Sequence, residues 1–280
     1  MERILEIILL AIVQGITEPL PISSSGHLVI FQSVFNIEGG SGLELEILLH
    51  LGSLIAILVF YWEDVKNLFG KGLGYLWHSI LYVLNKGDAP KKENQKHFLY
   101  GVNVLIATIP AAIFGILFKD WIEETLMNPK AVGIALIFTA GVLFAAFKIS
   151  GNKTDKDFKP KNALYTGLMQ IIALFPGVSR SGSTTCASLI QGFNVESSMK
   201  FSFIMFIPVA LGAMVLGLND FLSQPDLTSL LIPYTIGVIV SGVVTYYCLK
   251  LFQNILKKRR LDVFALYCVS VGILSVLFLK

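Results

Sequence analysis

Charge is scarce in this chain of 280 residues. Only 15% are Asp, Glu, Lys or Arg while 54% are hydrophobic, and the mean hydropathy is +0.71. A soluble domain carries about 25% charge, so that class is excluded. Cysteine is scarce too: Cys186, Cys248 and Cys268 sit singly in apolar surroundings. Such spacing builds neither a disulfide framework nor a metal site, and all three are expected to be reduced packing residues. Apolar–polar alternation of the strand kind is missing, which argues against a β-barrel. In lipid, a backbone that must satisfy its own N–H and C=O groups is then left with helices. Met1–Arg3 runs straight into a long apolar stretch with no small-residue cleavage site, so no removable signal peptide is expected. What remains is an all-α integral membrane protein.

The few charges are unevenly placed. Of 22 Lys and Arg residues, six lie in 62–98, five in 148–162 and five in 250–261. Next to apolar spans such clusters mark the cytoplasmic side of a membrane, and no nucleic-acid partner is expected. The connections 119–130 and 219–229, with only Lys119 and Lys130, fall outside.

About 20 apolar residues cross roughly 30 Å of hydrocarbon. Six stretches qualify: Leu43–Trp62, Leu99–Phe118 with a kink expected at Pro110, Ala131–Phe147, Ser198–Leu218, Leu230–Leu249 and Asp262–Leu279. Leu73–Leu84, within the long basic loop, is amphipathic and suits the membrane interface. Two more stretches are apolar but broken. Residues 4–34 are interrupted by Pro19, Pro21, three serines and Gly26, and Ala163–Gly192 is interrupted at Pro176–Gly182. With the basic segments inside, the crossing at 198–218 runs outward, so the broken stretch before it starts and ends inside: it is a re-entrant hairpin. The same parity makes 4–34 a re-entrant hairpin entered from outside, with the N-terminus there.

Residues 1–150 and 151–280 then share one plan, a hairpin plus three crossings. Three is odd, so the second copy is inserted upside down. Local sequence agrees, with small gaps: Gln14-Gly-Ile, Pro21-Ile-Ser-Ser-Ser-Gly-His and Phe35-Asn-Ile-Glu38 match Gln170-Ile-Ile, Pro176-Gly-Val-Ser-Arg-Ser-Gly and Phe193-Asn-Val-Glu196. The expectation is an inverted-topology repeat with six transmembrane helices and two re-entrant broken helix hairpins. Such repeats place a site where the broken segments meet, here the tips Ser23–His27 and Ser179–Thr184.

Phe175–Thr185 carries the strongest chemical signal, with one Arg, two Gly, one Pro and five hydroxyl residues amid apolar sequence. An Arg at membrane depth is costly unless it faces protein, water or a bound anion. The guanidinium of Arg180 matches phosphate oxygens in a fork. The hydroxyls of Ser179, Ser181 and Thr184 and the Gly-permitted backbone N–H groups are further anion donors. Ser183, Thr185 and Ser188 are expected to pack helices instead.

At the other break, Glu18 shares a helix face with Gln14. An intramembrane carboxylate needs a cation or a proton. As a hard oxygen ligand, Glu18 suits Mg²⁺ or Ca²⁺ shared with substrate phosphates; the alternative is a protonated carboxyl bonded within the bundle. Ser23, Ser24 and Ser25 stand just before His27, the residue type that activates a serine near neutral pH, or else an interfacial histidine. Glu46 and His50, again four apart, line the same cavity or form a structural pair. Glu44 reads as interfacial, His78 and His97 as solvated, and Met199, Met205 and Met214 as packing.

Two motifs resemble those of the bacterial undecaprenyl pyrophosphate phosphatases, also called bacitracin-resistance proteins. Glu/Gln-x-x-x-Glu before a serine cluster and Gly-His stands as Gln14-x-x-x-Glu18 and Ser23-Ser24-Ser25-Gly26-His27. Pro-Gly-x-Ser-Arg-Ser-x-x-Thr stands as Pro176-Gly177-Val178-Ser179-Arg180-Ser181-Gly182-Ser183-Thr184. Length, two halves and basic loops fit as well, so the resemblance spans essentially the whole chain. It implies hydrolysis of undecaprenyl pyrophosphate to the monophosphate with Mg²⁺ or Ca²⁺, recycling the carrier lipid for cell-wall synthesis and conferring bacitracin resistance. The implied setting is the bacterial plasma membrane, with the site open to the outer side. Carried over, Glu18 binds metal and Arg180 the terminal phosphate, and Ser24 or His27 is the nucleophile or base unless a water attacks. Gln14, Ser23, Ser25, Ser179, Ser181 and Thr184 would surround the substrate. Gln14 fills the motif's first acidic position, leaving one carboxylate fewer for metal. The implied partners are a polyprenyl pyrophosphate lipid and membrane lipids, with a homodimer left open.

Two rivals differ in testable ways. A lipid phosphatase of the phosphatidic-acid type continues Ser-Arg-x₅-His, but that position here is Cys186. A polyprenyl-phosphate transporter or flippase would use the same inverted repeat and phosphate cradle without releasing phosphate.

Overall fold

The computed structural model describes residues 2–37, 43–146, 148–149, 151–223, 227–257 and 260–279. Glu38, Phe147, Lys258 and Arg259 lie outside them, as does the side chain of Glu44. The chain folds into helices: α1 (Glu2–Thr17), α2 (Ser24–Phe35), α3 (Leu43–Phe60), α4 (Trp62–Asn67), α5 (Leu73–Val83), α6 (Lys92–Leu126), α7 (Pro129–Ala146), α8 (Pro160–Ile172), α9 (Arg180–Ile190), α10 (Val195–Leu222), α11 (Leu227–Lys257) and α12 (Leu261–Phe278). A π-helical turn, Leu68–Gly72, joins α4 to α5. Among the described residues there is no strand, only an isolated parallel bridge between Lys153 and Phe193.

Among the described residues five helices are long and apolar enough to cross a membrane. A sixth span results if α3 is counted with the α4–α5 segment that turns away from it by 77°. The protein is therefore an all-helical, multi-pass membrane protein. α6 is longer than the expected span 99–118: it runs unbroken through Pro110 for 35 residues and takes in 119–126. α11 likewise continues through Lys250 to Lys257, so this part of the basic segment is helix and not loop. α5 exposes Leu73, Trp77 and Val83, as an interfacial helix does.

Both expected breaks are present. α1 stops at Thr17, before Pro19 and Pro21, which cannot donate to a helix. Ser23 caps α2 by accepting from Gly26 N. The second break lies at 173–179, earlier than Pro176–Gly182, because Ser179 caps α9 and makes Arg180–Gly182 its first turn. Small residues let the helices meet closely. α7 and α12 cross at Gly133 and Gly272, where a Cβ on either would lie within 2.8 Å of the other's carbonyl oxygen. Ser53 of α3 bonds Ser241 and Thr245 of α11 at 3.2 and 2.9 Å.

Candidate active site

The two breaks meet. Gly177 N donates to Ser23 Oγ at 3.1 Å and Ser181 Oγ to Leu20 O at 3.2 Å. A Cβ on Gly26 would come within 2.8 Å of Gly177 Cα. Ser23 sits at φ 69°, a left-handed conformation uncommon outside glycine. Its Oγ accepts from both Gly26 N and Gly177 N, so the strained serine is held from both sides. Thr139 of α7 locks the other edge, donating to Gly177 O and accepting from Ser179 N.

Glu18 occupies the centre of this junction, only 5% exposed. Arg180 Nη2 reaches its Oε1 at 2.5 Å. Its Oε2 accepts from Ser24 Oγ at 2.6 Å and Gln14 Nε2 at 3.0 Å, and His50 Nε2 lies 3.3 Å away. A carboxylate this deeply buried is tolerable only with such a shell of donors. Arg180 is framed in turn by Ser202 O at 3.3 Å and by the ring face of Phe206, 4.1 Å from its guanidinium carbon. His50 is oriented by its other nitrogen, which faces Glu46 O at 2.8 Å.

A cavity of about 300 Å³ opens above Glu18. Its floor is polar: Glu18, Ser23, Ser24, Ser25, His50 and Arg180. Its walls are mainly apolar, with Val209, Ala210, Ala213 and Met214 of α10 facing Ile122, Met127 and Leu174; Glu46, Lys119 and Glu123 add charge. α2 and α9 both begin at this floor, so two helix N-termini, which favour anions, converge on it.

The remaining sequence candidates stand behind this surface. Gln14 is fully buried beneath Glu18. Ser179 caps α9, Ser181 ties it to the first break, and Thr184 bonds Arg180 O and Ser202 Oγ at 2.8 and 2.6 Å. His27 does not meet Ser24. Its ring nitrogens lie 2.7 Å from Ser23 O and 2.9 Å from Tyr267 Oη of α12, stacked on that tyrosine. The group on the Ser24 hydroxyl is Glu18. Ser202, Phe206, Thr139 and Tyr267 carry no local signal in the sequence, being ordinary residues of apolar helices.

The model of the family described as "Bacitracin resistance protein BacA" matches residues 7–274. The chain is 39% identical over 276 residues to "Undecaprenyl-diphosphatase 1" of Bacillus cereus, covering 99% of this chain and 98% of the relative. It is 38% identical over 272 residues to "Undecaprenyl-diphosphatase" of Oceanobacillus iheyensis, covering 96% and 94%. "Undecaprenyl-diphosphatase 1" of Halalkalibacterium halodurans is 40% identical over 271 residues, covering 97% and 94%. The chain belongs to the BacA family.

In this BacA chain two side chains, Gln14 and Glu18, present oxygens suited to a divalent cation. Gln14 Oε1 is buried without a hydrogen-bond partner, a neutral oxygen of the kind Mg²⁺ and Ca²⁺ accept, beside the carboxylate of Glu18. Among the described residues no group of three or more His, Cys, Asp or Glu gathers as a protein-only metal cage. The residues fit a cation that takes the Glu18 carboxylate and the Gln14 amide oxygen from the protein and its other oxygens from substrate phosphates and water.

Proposed function

We propose that this BacA-family protein hydrolyses undecaprenyl pyrophosphate to undecaprenyl phosphate and inorganic phosphate in the bacterial plasma membrane. This recycles a carrier lipid for cell-wall synthesis and confers bacitracin resistance. The observation that carries the reading is the Arg180–Glu18–Ser24 constellation on the polar floor of an apolar-walled cavity. A diphosphate suits the floor and a prenyl tail the α10 wall. The names of the relatives indicate the same chemistry.

In the free protein Glu18 takes up the donors that a phosphate would need. When the diphosphate enters, Arg180 turns its fork to the terminal phosphate. Ser24 Oγ attacks the terminal phosphorus and Glu18 accepts its proton. The bond from that phosphorus to the bridging oxygen breaks, its electron pair leaving with undecaprenyl phosphate. A water then displaces Ser24 from phosphorus, its proton restoring the serine hydroxyl, and Glu18 releases its proton with inorganic phosphate. Little else is demanded of the protein, since phosphoryl transfer is mainly positioning and charge stabilisation. Mg²⁺ or Ca²⁺, held by Glu18 and Gln14, would supply charge neutralisation at the phosphate oxygens.

The same reading includes the membrane arrangement: two inverted halves, each a re-entrant hairpin with its crossings, and a site open to the outer side. Three observations support it. The broken segments α1–α2 and α8–α9 touch at their breaks. α1 packs on α11 as α8 packs on α6, and α7 packs on its counterpart α12. The local sequence match of Pro21–His27 with Pro176–Gly182 falls on those same two breaks.

The deciding experiment measures phosphate release from a polyprenyl pyrophosphate by purified protein, with and without Mg²⁺ or Ca²⁺. Metal-dependent release that Arg180→Ala abolishes is expected. Folded wild-type protein that binds the lipid and releases no phosphate would turn the reading to a lipid transporter.

A further inference from the structure

We propose that His50 is the residue that holds the lipid-linked phosphate of the diphosphate, as Arg180 holds the terminal one, and so confines the site to phosphates carrying an apolar tail. The inference rests on the proposed reaction and adds a residue to it.

Position comes first. His50 lines the cavity together with Glu18, Ser24 and Arg180. On α3 its cavity-facing neighbours are Ile47 and Glu46, one turn away. On α10, Phe206 lies between the two cationic-type side chains: its ring centroid is 6.0 Å from that of His50 and 4.1 Å from the Arg180 guanidinium carbon. From Phe206 the wall runs outward through Val209, Ala210, Ala213, Met214 and Gly217. Eleven residues of helix span about 16 Å, a track for a prenyl chain. A tail on that track puts its own phosphate next to His50 and the distal phosphate next to Arg180 and Ser24.

Chemistry agrees with position. Glu18 holds the two groups apart in the free protein, Arg180 on Oε1 and His50 near Oε2. Both are donors aimed at one anion, His50 as the imidazolium, since both of its nitrogens face acceptors, Glu46 O and Glu18 Oε2; an entering diphosphate offers an anion to each. His50 Nδ1 faces Glu46 O, which fixes the ring and leaves Nε2 for the ligand. The His50 side chain is 22% exposed and Glu18 only 4%, so the histidine can reach cavity contents while the carboxylate stays below. Transfer of both donors to substrate also frees Glu18 Oε2 to take the Ser24 proton, which couples occupancy of the tail-side subsite to the attack.

The test is binding, read apart from turnover. Wild type, His50→Ala and His50→Gln are purified in detergent, checked for monodispersity and thermal unfolding, and titrated with a farnesyl monophosphate and with farnesol. A hydrogen bond to a charged group is worth roughly 1.5–3 kcal/mol, about tenfold or more in affinity. Expected is a loss of about tenfold for the monophosphate in His50→Ala, partial recovery in His50→Gln, whose amide still donates, and unchanged farnesol affinity. Unchanged monophosphate affinity with a lowered kcat would overturn the assignment, because His50 would then act only by holding Glu18. Equal loss for monophosphate and alcohol would overturn it too, as a packing effect. Wild-type protein that releases no phosphate from farnesyl diphosphate would instead sink the phosphatase reading itself.

Discussion

The backbone N–H of Gly177 donates to the hydroxyl of Ser23 at 3.1 Å, tying together two chain breaks 154 residues apart. Gly177 has φ +96°, and a Cβ there would lie 2.7 Å from Ala135 Cβ. Gly177→Ala therefore combines backbone strain with a clash, for a cost of roughly 1–3 kcal/mol from the backbone alone. A lower unfolding midpoint in detergent and reduced phosphate release are expected. Wild-type values for both would show that the breaks meet in some other way.

Ser24→Ala and Glu18→Gln test the proton path directly. Each keeps approximate shape: Ser24→Ala removes the donor of the 2.6 Å hydrogen bond, and Glu18→Gln removes the charge that makes its acceptor a base. Loss of a positioned proton acceptor costs about 10²–10⁴-fold in rate, so phosphate release by either variant is expected to fall at least a hundredfold. Rapid quenching of wild type should trap phosphate on Ser24. If Ser24→Ala retains a tenth of wild-type turnover, water is the nucleophile.

Tyr267→Phe probes the residue that His27 chose instead of Ser24. The change strips the partner from a buried ring nitrogen, at about 1–3 kcal/mol. The unfolding midpoint should drop while kcat falls less than tenfold, because neither side chain borders the cavity. A kcat loss as large as that of Ser24→Ala would place His27 back in the chemistry.

Orientation can be read with cysteine labelling. Cys186 and Cys268 are buried and Cys248 half-buried, which leaves a low background. Asp88, just before α6, and Thr125, in its last turn, are exposed near opposite ends of that helix. In intact cells an impermeant maleimide should label Thr125→Cys and reach Asp88→Cys only after lysis. The reverse pattern would invert the proposed topology and put the cavity mouth inside.

Much of the architecture was legible because it depends on local composition. Membrane insertion responds to the length and hydropathy of each stretch, so six long runs read as crossings; five fall in helices of membrane-spanning length, and the sixth, Leu43–Trp62, counts as a span only together with the bent α4–α5 segment. Prolines, glycines and serines interrupt a helix through their own backbone chemistry, so both breaks were visible too; only the capping role of Ser179, a side-chain choice, moved the second one to 173–179. Arg180 and Glu18 stood out because a charge in lipid must have a partner.

The partners themselves were decided by the fold. Glu18 and Arg180 are 162 residues apart in sequence, and nothing in either motif says that they pair. His27 is four residues from Ser23 and near Ser24, yet its ring turns toward Tyr267, 240 positions along the chain, since a buried ring needs an acceptor or donor for each nitrogen. His50, equally compatible in sequence with a structural pair, ends against Glu18 because α3 packs where the two breaks meet. The sequence by itself determined that this is a helical membrane protein with an Arg at a broken helix, because hydropathy and desolvation act on each segment alone. Which carboxylate, which serine and which histidine share that charge depended on distances between helices, and those only tertiary packing sets.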